Sequence, residues 1–427
     1  MIYVVQEGDT IFNIAQRYGV SVQRITMDNG LNAQSALVRG QALILLRADV
    51  AHTVQPGETV QSVAAQYGMS SVQLLQKNPN LILAPNLQIG QQLAIRFEGE
   101  QDWPAFFNGY AYPEVSRNLL RRQLPFLTDF TIFGYGFTET GRLIPVEDHE
   151  LIALSYQYDA APILLLASLT EDGTFSGERA SLLFHDLELQ NTIINNLIAV
   201  MQNRGYLGID VDFEYIRPED GPAYLSFLEN ITARMHEYGY RVNVDLAPKT
   251  SSEQQGLLYE AHDYAAIGAI VDTVLIMTYE WGYTYGPPMA VAPLPNVRRV
   301  IEYAVTQIPP EKIMMGIPNY GYDWTLPFER GITRATSIGN EYAVQIAEQN
   351  GVPIEFDEVA QSPFFEYWGA DGNLHIVWFE DVRSIEGKFG LVREFGLHGA
   401  GYWNLMRPFS QNWALMSQEF DIAKVLP

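Results

Sequence analysis

Three carboxylates stand two residues apart in the run LGIDVDFEY, Leu207–Tyr215: Asp210, Asp212 and Glu214. Side chains on a β-strand alternate faces, so this spacing sends all three to one side, about 6–7 Å apart along the chain. Ile209, Val211 and Phe213 go to the other side, and their apolar character predicts a buried strand with a helix layer behind it. Like charges held together away from water cannot all ionise, so at least one acid keeps its proton near neutral pH. A protonated carboxyl at the solvent end of such a strand is a general acid suited to a glycosidic oxygen. Glu214, last in the series and longest, takes that part. Two other uses compete. A solvated acidic face is opposed by the apolar alternate positions. A Mg²⁺ or Ca²⁺ site would need further acids converging from other strand ends, and Glu280 is the evident one.

An inward row of acids needs a scaffold that closes around it. From Asp102 onward short apolar runs alternate with longer helical stretches, the pattern of βα units and a parallel sheet. Strands are predicted at Phe107–Ala111, Phe130–Tyr135, Pro162–Ser168, Leu207–Phe213, Arg241–Ala247, Thr273–Thr278, Lys312–Ile317 and Gly399–Trp403. Eight is the count of a closed (β/α)8 TIM barrel, whose sites lie at the C-terminal ends of the strands. The spacing is regular except between the last two strands, where a small α+β insertion is expected over about 322–374.

The first hundred residues carry a repeat. YVVQEGDTIFNIAQRYGVS begins at Tyr3 and HTVQPGETVQSVAAQYGMS at His52, with Val5/Val54, Gly8/Gly57, Thr10/Thr59, Tyr18/Tyr67 and Asn29/Asn78 at one offset. Each copy reads strand, helix, helix, strand. Thr10 can N-cap a helix whose Ile11, Ile14, Ala15 and Tyr18 share a face, and Gly19 can end it. Units this small have thin cores and suit binding better than catalysis. The expected division is 1–47 and 51–97 for the two modules and 102–427 for the barrel.

Composition narrows the partners. The chain has 26 basic and 50 acidic residues, a net charge of −24, which repels nucleic-acid backbones and anionic membranes. With no cysteine there are no disulfides, iron–sulfur clusters or thiolate zinc sites. The opening MIYVVQEGDT shows no basic region followed by an apolar one, so no signal peptide is expected.

Both repeats resemble the LysM module, with its V-x-x-G-D-T opening, Ala-x-x-Tyr-Gly helix end, Asn after the second helix and Gly-Gln-x-Leu close. That resemblance implies binding of N-acetylglucosamine glycans such as peptidoglycan or chitin. The contacts would come from Gly8, Asp9, Thr10 and Asn29 in the first copy, and Gly57, Glu58, Thr59 and Asn78 in the second. The same residue types are also what turns and caps require.

Residues 102–410 resemble glycoside hydrolase family 18, whose signature D-G-x-D-x-D-x-E is met by Gly208, Asp210, Asp212 and Glu214, with Leu207 at the first position. Met277-Thr-Tyr279-Glu280, KIMMGIPNY ending at Tyr320, GAGYW ending at Trp403 and Asn108-Gly-Tyr110 resemble the sixth-, seventh-, eighth- and first-strand segments of that family. The third strand departs from the family's S-x-G-G, leaving Ser168 as a hydroxyl for Asp210. The resemblance implies retention of configuration with the substrate's 2-acetamido oxygen as nucleophile, the exception to the two-carboxylate scheme. Glu214 would be acid and then base, Asp212 would hold the acetamido N–H, Asp210 would tune it, and Tyr279 would donate to the acetamido oxygen. Trp403 would floor the sugar, with Glu280, Tyr110, Met277 and Tyr320 as further substrate contacts. No metal or cofactor is implied.

Tandem LysM modules before such a barrel, without an export signal, resemble the spore cortex-lytic N-acetylglucosaminidases of Bacillus-type endospore formers. The resemblance implies a location in the cortex or coat region of a bacterial spore and action on cortex peptidoglycan or its fragments; a monomer is expected. The alternatives are a chitinase and, in another class, a non-catalytic glycan-binding lectin.

Overall fold

The computed structural model describes residues 1–32, 34–101 and 103–426. Eight parallel strands close into a barrel: β1 (Trp103–Ala111), β2 (Asp129–Phe137), β3 (Ala161–Ala167), β4 (Gly208–Asp212), β5 (Arg241–Leu246), β6 (Thr273–Ile276), β7 (Ile313–Pro318) and β8 (Gly399–Trp403). Each pairs with the next, and β8 returns to β1 through Gly399↔Phe106 and Tyr402↔Gly109. This is the TIM barrel that the strand count predicts, with the two leading modules that the repeat predicts.

Two strands stop earlier than the hydrophobic pattern suggests. β4 ends at Asp212 and β6 at Ile276, so Glu214 and Tyr279 lie in the loops beyond the ladder. Each is followed by a non-glycine residue in the left-handed region, Tyr215 at φ 57 and Glu280 at φ 67. Such backbone costs of order 1–3 kcal/mol per residue and persists only where surrounding contacts enforce it.

The alternation on β4 partitions the molecule. Ile209, Val211 and Phe213 are fully buried against the helix layer in the main core, with Phe184, Tyr224 and Phe227 around Phe213. Inside the barrel Tyr110, Phe133, Leu165, Ala167, Leu275 and Met314 form a smaller cluster beneath the rim.

The insertion runs from Gly321 to Trp378 as a five-stranded antiparallel sheet with one helix, Asn340–Asn350. It extends a few residues past the predicted end because Leu374–Trp378 is an inner strand, paired to both Gly321–Thr325 and Ser362–Trp368.

Each leading module pairs its first and last strands antiparallel, Ile2–Val4 with Ala42–Ile44 and Ala48–Thr53 with Gln92–Phe97. Thr10 and Thr59 each close a capping box, and Gly19 ends the first helix at φ 65. The modules are not free beads. Ala42, Ile44, Leu46, Ile82 and Phe97 belong to the same continuous core as the barrel's outer layer. Gln411 donates to Asn29 Oδ1 at 3.0 Å and to the Ala42 carbonyl at 2.7 Å, and Gln76 donates to the Pro125 carbonyl at 2.7 Å.

Candidate active site

β4 delivers Asp210 and Asp212 to the barrel interior, and the next turn lifts Glu214 to the rim, where it is half-buried. Asp210 is fully buried and accepts from Tyr110 Oη at 2.7 Å and Asn243 Nδ2 at 2.7 Å. Burial pushes its carboxyl up to about 6 against the pull of those donors. Asp212 is 6% exposed, and its buried Oδ1 has no hydrogen-bond partner. Burial, then the charges of Glu214 and Asp210, hold its carboxyl well above the usual carboxylate range. Glu214 is raised too, by burial and then by Glu280. The expected refusal of these acids to ionise together follows from missing water and missing cations, since no basic group is among the causes acting on any of them.

Tyr279 is half-buried; burial, then the charges of Asp245, Asp212, Glu214 and Glu280, oppose ionisation of its hydroxyl, which donates to no protein group among the described residues. Trp403, at the end of β8, packs edge-on against Tyr110, Tyr112 and Phe133 with ring centroids 6.1, 5.8 and 5.6 Å away. Met277 also packs against the interior cluster. A cavity of about 380 Å³ opens beside Trp403, bounded by Glu280, Tyr320, Tyr322, Ser337 and Arg407. Tyr322 and Ser337 belong to the insertion, which therefore walls one side of the cleft. Tyr320 and Tyr322 both donate to Glu280, at 2.5 and 3.0 Å. Tyr320 thus both lines the cavity and holds Glu280.

Two expectations change. Tyr110, expected to touch sugar, is 1% exposed and its hydroxyl is engaged by Asp210 and Asp245, so it braces acids from below. Ser168, the expected hydroxyl for Asp210, is buried with an unpartnered Oγ, and Tyr110 and Asn243 fill that place.

Asp245 belongs to the site and was missed from sequence. It lies on β5, one step beyond the Val244↔Val211 pair and so level with Asp212, and it is 5% exposed. Its signal was present: VNVDL alternates polar Asn243 and Asp245 with Val and Leu, the same two-residue period as β4. Also missed was His262, buried behind the site. Its Nδ1 accepts from Ala247 N at 3.0 Å, leaving Nε2–H to face the Phe213 carbonyl at 3.3 Å. Among the described residues no group of three His, Asp or Glu side chains is disposed to hold a metal ion.

In the leading modules Asn29 and Asn78 are both 4% exposed and spent internally. Asn29 bridges Ile25 and Ile44, and Asn78 bridges Leu74 and Ala94. Their side-chain amides close the modules. Asp9 and Glu58 tie down their own turns through Gln6 N and Gln55 N, and Gly8, Thr10, Gly57 and Thr59 remain exposed on the same turns.

A row of buried acids ending in a raised glutamate, at the C-terminal mouth of a TIM barrel and beside the Trp403 ring, defines a glycosidase. The chain matches glycosyl hydrolases family 18 over residues 173–407 and the LysM domain over 3–45 and 52–96, and it belongs to that hydrolase family. It is 40% identical to the cortical fragment-lytic enzymes of Bacillus anthracis and Bacillus subtilis (strain 168), with 99% of each chain covered. The crystal structure of the Bacillus cereus spore cortex-lytic enzyme SleL superposes with a TM-score of 0.84 at 39% identity, covering 99% of this chain and 98% of that one. The family match begins after β3. No helix among the described residues is long and apolar enough to cross a membrane.

Proposed function

We propose that this chain is an N-acetylglucosaminidase that cuts spore cortex peptidoglycan or its fragments with retention, using the substrate's own acetamido group. The observation that carries the reading is the trio of unspent groups around one spot. These are the raised Glu214, the orphan Oδ1 of buried Asp212, and the Tyr279 hydroxyl with no protein partner among the described residues. In this reading Glu214 gives its proton to the glycosidic oxygen as the C1–O bond breaks. The acetamido oxygen, held by Tyr279, bonds to C1 and forms an oxazolinium ion, while Asp212 accepts the acetamido N–H. Glu214 then takes a proton from water, whose oxygen attacks C1 and reopens the ring. Alignment of this kind supplies several kcal/mol, roughly the scale of an intramolecular reaction.

The cortex as substrate is supported by relatives named cortical fragment-lytic and spore cortex-lytic that match over nearly the whole length, modules included. Those names also support a spore location. The exposed module turns would supply the grip on the polymer, and the protein would act as a monomer.

The test is product analysis by mass spectrometry on purified cortex peptidoglycan and on colloidal chitin, with wild type and Glu214→Gln. Muropeptides ending in reducing N-acetylglucosamine, lost in the variant, are expected. Chitobiose from chitin with cortex intact would make the chain a chitinase. No cleavage of either polymer would leave a glycan-binding lectin.

A further inference from the structure

The hydrogen bonds beneath the site can be counted. Tyr110 Oη lies 2.7 Å from Asp210 Oδ2 and 2.8 Å from Asp245 Oδ1. A phenol has one proton to give, and an ionised carboxylate only accepts. One of the two contacts must therefore be made by a carboxyl O–H. Asn243 shows which acid carries it. Its Oδ1 accepts from Thr273 Oγ1 at 2.9 Å, which turns Nδ2 toward the acids, 2.7 Å from Asp210 Oδ1 and 3.3 Å from Asp245 Oδ1. Asp210 thus has a donor on each oxygen, as a carboxylate requires. Asp245 has contacts on Oδ1 alone, and among the described residues its Oδ2 meets no donor to support a charge.

The surroundings agree. Asp245 faces Asp210 and Asp212 from β4, Glu214 from the loop beyond it, Tyr110 from β1, Asn243 on its own strand and Tyr279 from the loop after β6. Tyr224, from the helix after β4, feels the same three aspartates. Asp129 on β2 acts on Asp210 from farther off and is itself paired with Arg241. No cation is among the groups acting on Asp245, so a charge there would have no opposite charge to offset it and only the shared Tyr110 hydroxyl to support it.

We propose that Asp245 is a positioning residue for hydrolysis: as a neutral carboxylic acid it donates into the Tyr110–Asp210 pair and so fixes Asp210 as the carboxylate beneath Asp212. With Asp210 anionic, Asp212 retains its proton in the free enzyme, and the charge state under the sugar is set before substrate arrives. Without the donor, Tyr110 is the sole support of Asp210 on that side and the proton distributes over the coupled acids. The inference rests on the proposed N-acetylglucosaminidase reading.

The experiment uses the full chain and a soluble chromogenic N-acetylglucosamine oligomer, with kcat, KM and pH–rate profiles for wild type, Asp245→Asn, Asp245→Leu and Glu214→Gln. The amide introduced by Asp245→Asn is uncharged at every pH and still carries a donor. We expect Asp245→Asn to lose about tenfold in kcat and Asp245→Leu about a thousandfold, with KM within about threefold in both. Both limbs of the pH profile should stay within about 0.3 unit of wild type in Asp245→Asn, since a neutral group replaces a neutral group. An Asn variant as poor as the Leu variant, a Leu variant as active as wild type, or a limb displaced downward by about one unit in the Asn variant would each overturn the proposal. Should the Leu variant not fold, the limb position in the Asn variant still decides. Glu214→Gln separates the two readings: hydrolysis surviving it defeats the proposed function, whereas hydrolysis lost there with unaffected Asp245 variants defeats this inference alone.

Discussion

The Tyr279 ring occupies the space that a side chain at Gly316 would need: a Cβ built there would lie 2.7 Å from Tyr279 Cε1 and 2.7 Å from the Ile276 carbonyl oxygen. The hydroxyl proposed to hold the acetamido oxygen is thus aimed by a missing methyl group on the neighbouring strand. Gly316→Ala should displace the ring and lower kcat by about tenfold or more, because small misplacements of a reacting geometry are costly. Tyr279→Phe, which keeps the ring and drops the donor, should lower kcat by about 10–100-fold with KM little changed. Steady-state kinetics on a soluble N-acetylglucosamine oligomer checks both. A Tyr279→Phe enzyme with wild-type kcat would remove Tyr279 from the reaction.

Asp212 works against the fold that carries it. Its folded pKa is raised well above 3.8 by burial and by Glu214 and Asp210, so its stability contribution is fully present below about 3.8 and is lost as pH rises through the folded value. Asp212→Asn should therefore be more stable than wild type at pH 8 by roughly 1–3 kcal/mol, and so unfold at a higher temperature, while losing activity. The difference should shrink toward pH 4. A pH-independent gap in thermal unfolding would refute the link.

His262 titrates in the opposite sense. Burial lowers it from 6.5 to about 4, so its contribution is present above 6.5 and is lost as pH falls toward 4. Removing the ring in His262→Ala orphans the Ala247 N–H and leaves a cavity, a loss of about 2–4 kcal/mol at pH 7. Urea unfolding should show that loss narrowing between pH 6.5 and 4. Because Phe213 directly precedes Glu214, kcat should fall as well.

Gly40 and Gly90 are matching positions in the two modules, and both have φ 84. A Cβ at Gly40 would sit 1.8 Å from the Ile354 carbonyl oxygen of the insertion, whereas nothing lies within 4 Å at Gly90. The two alanine variants share the same backbone strain, about 1 kcal/mol. Only Gly40→Ala should also loosen the module from the insertion. Its melting temperature should fall further than that of Gly90→Ala, with new proteolytic cuts near residues 340–355. Equal melting temperatures would mean the docking contributes nothing.

Much of the site was readable because it obeys local periods. The two-residue alternation of β4 put Asp210 and Asp212 on one face and Ile209 and Val211 on the other. The 49-residue offset between Thr10 and Thr59 gave both modules with their caps. Asp245 follows the same period but is the single acid on β5, so no row of acids marks it in the sequence. Tyr110 was placed in the right cluster with the wrong neighbour, since a strand's face is periodic but its depth in the barrel is not.

Sequence by itself determined the elements, the repeat, and the row of acids whose mutual repulsion demands a proton, because these depend on spacing of a few residues along one chain. Tertiary structure decided what those residues are for. It set Tyr110 between Asp210 and Asp245, Tyr279 over Gly316, and Asn29 against Gln411, pairs separated by tens to hundreds of residues. Barrel closure and module docking fix those distances, and neither leaves a period in the sequence to read.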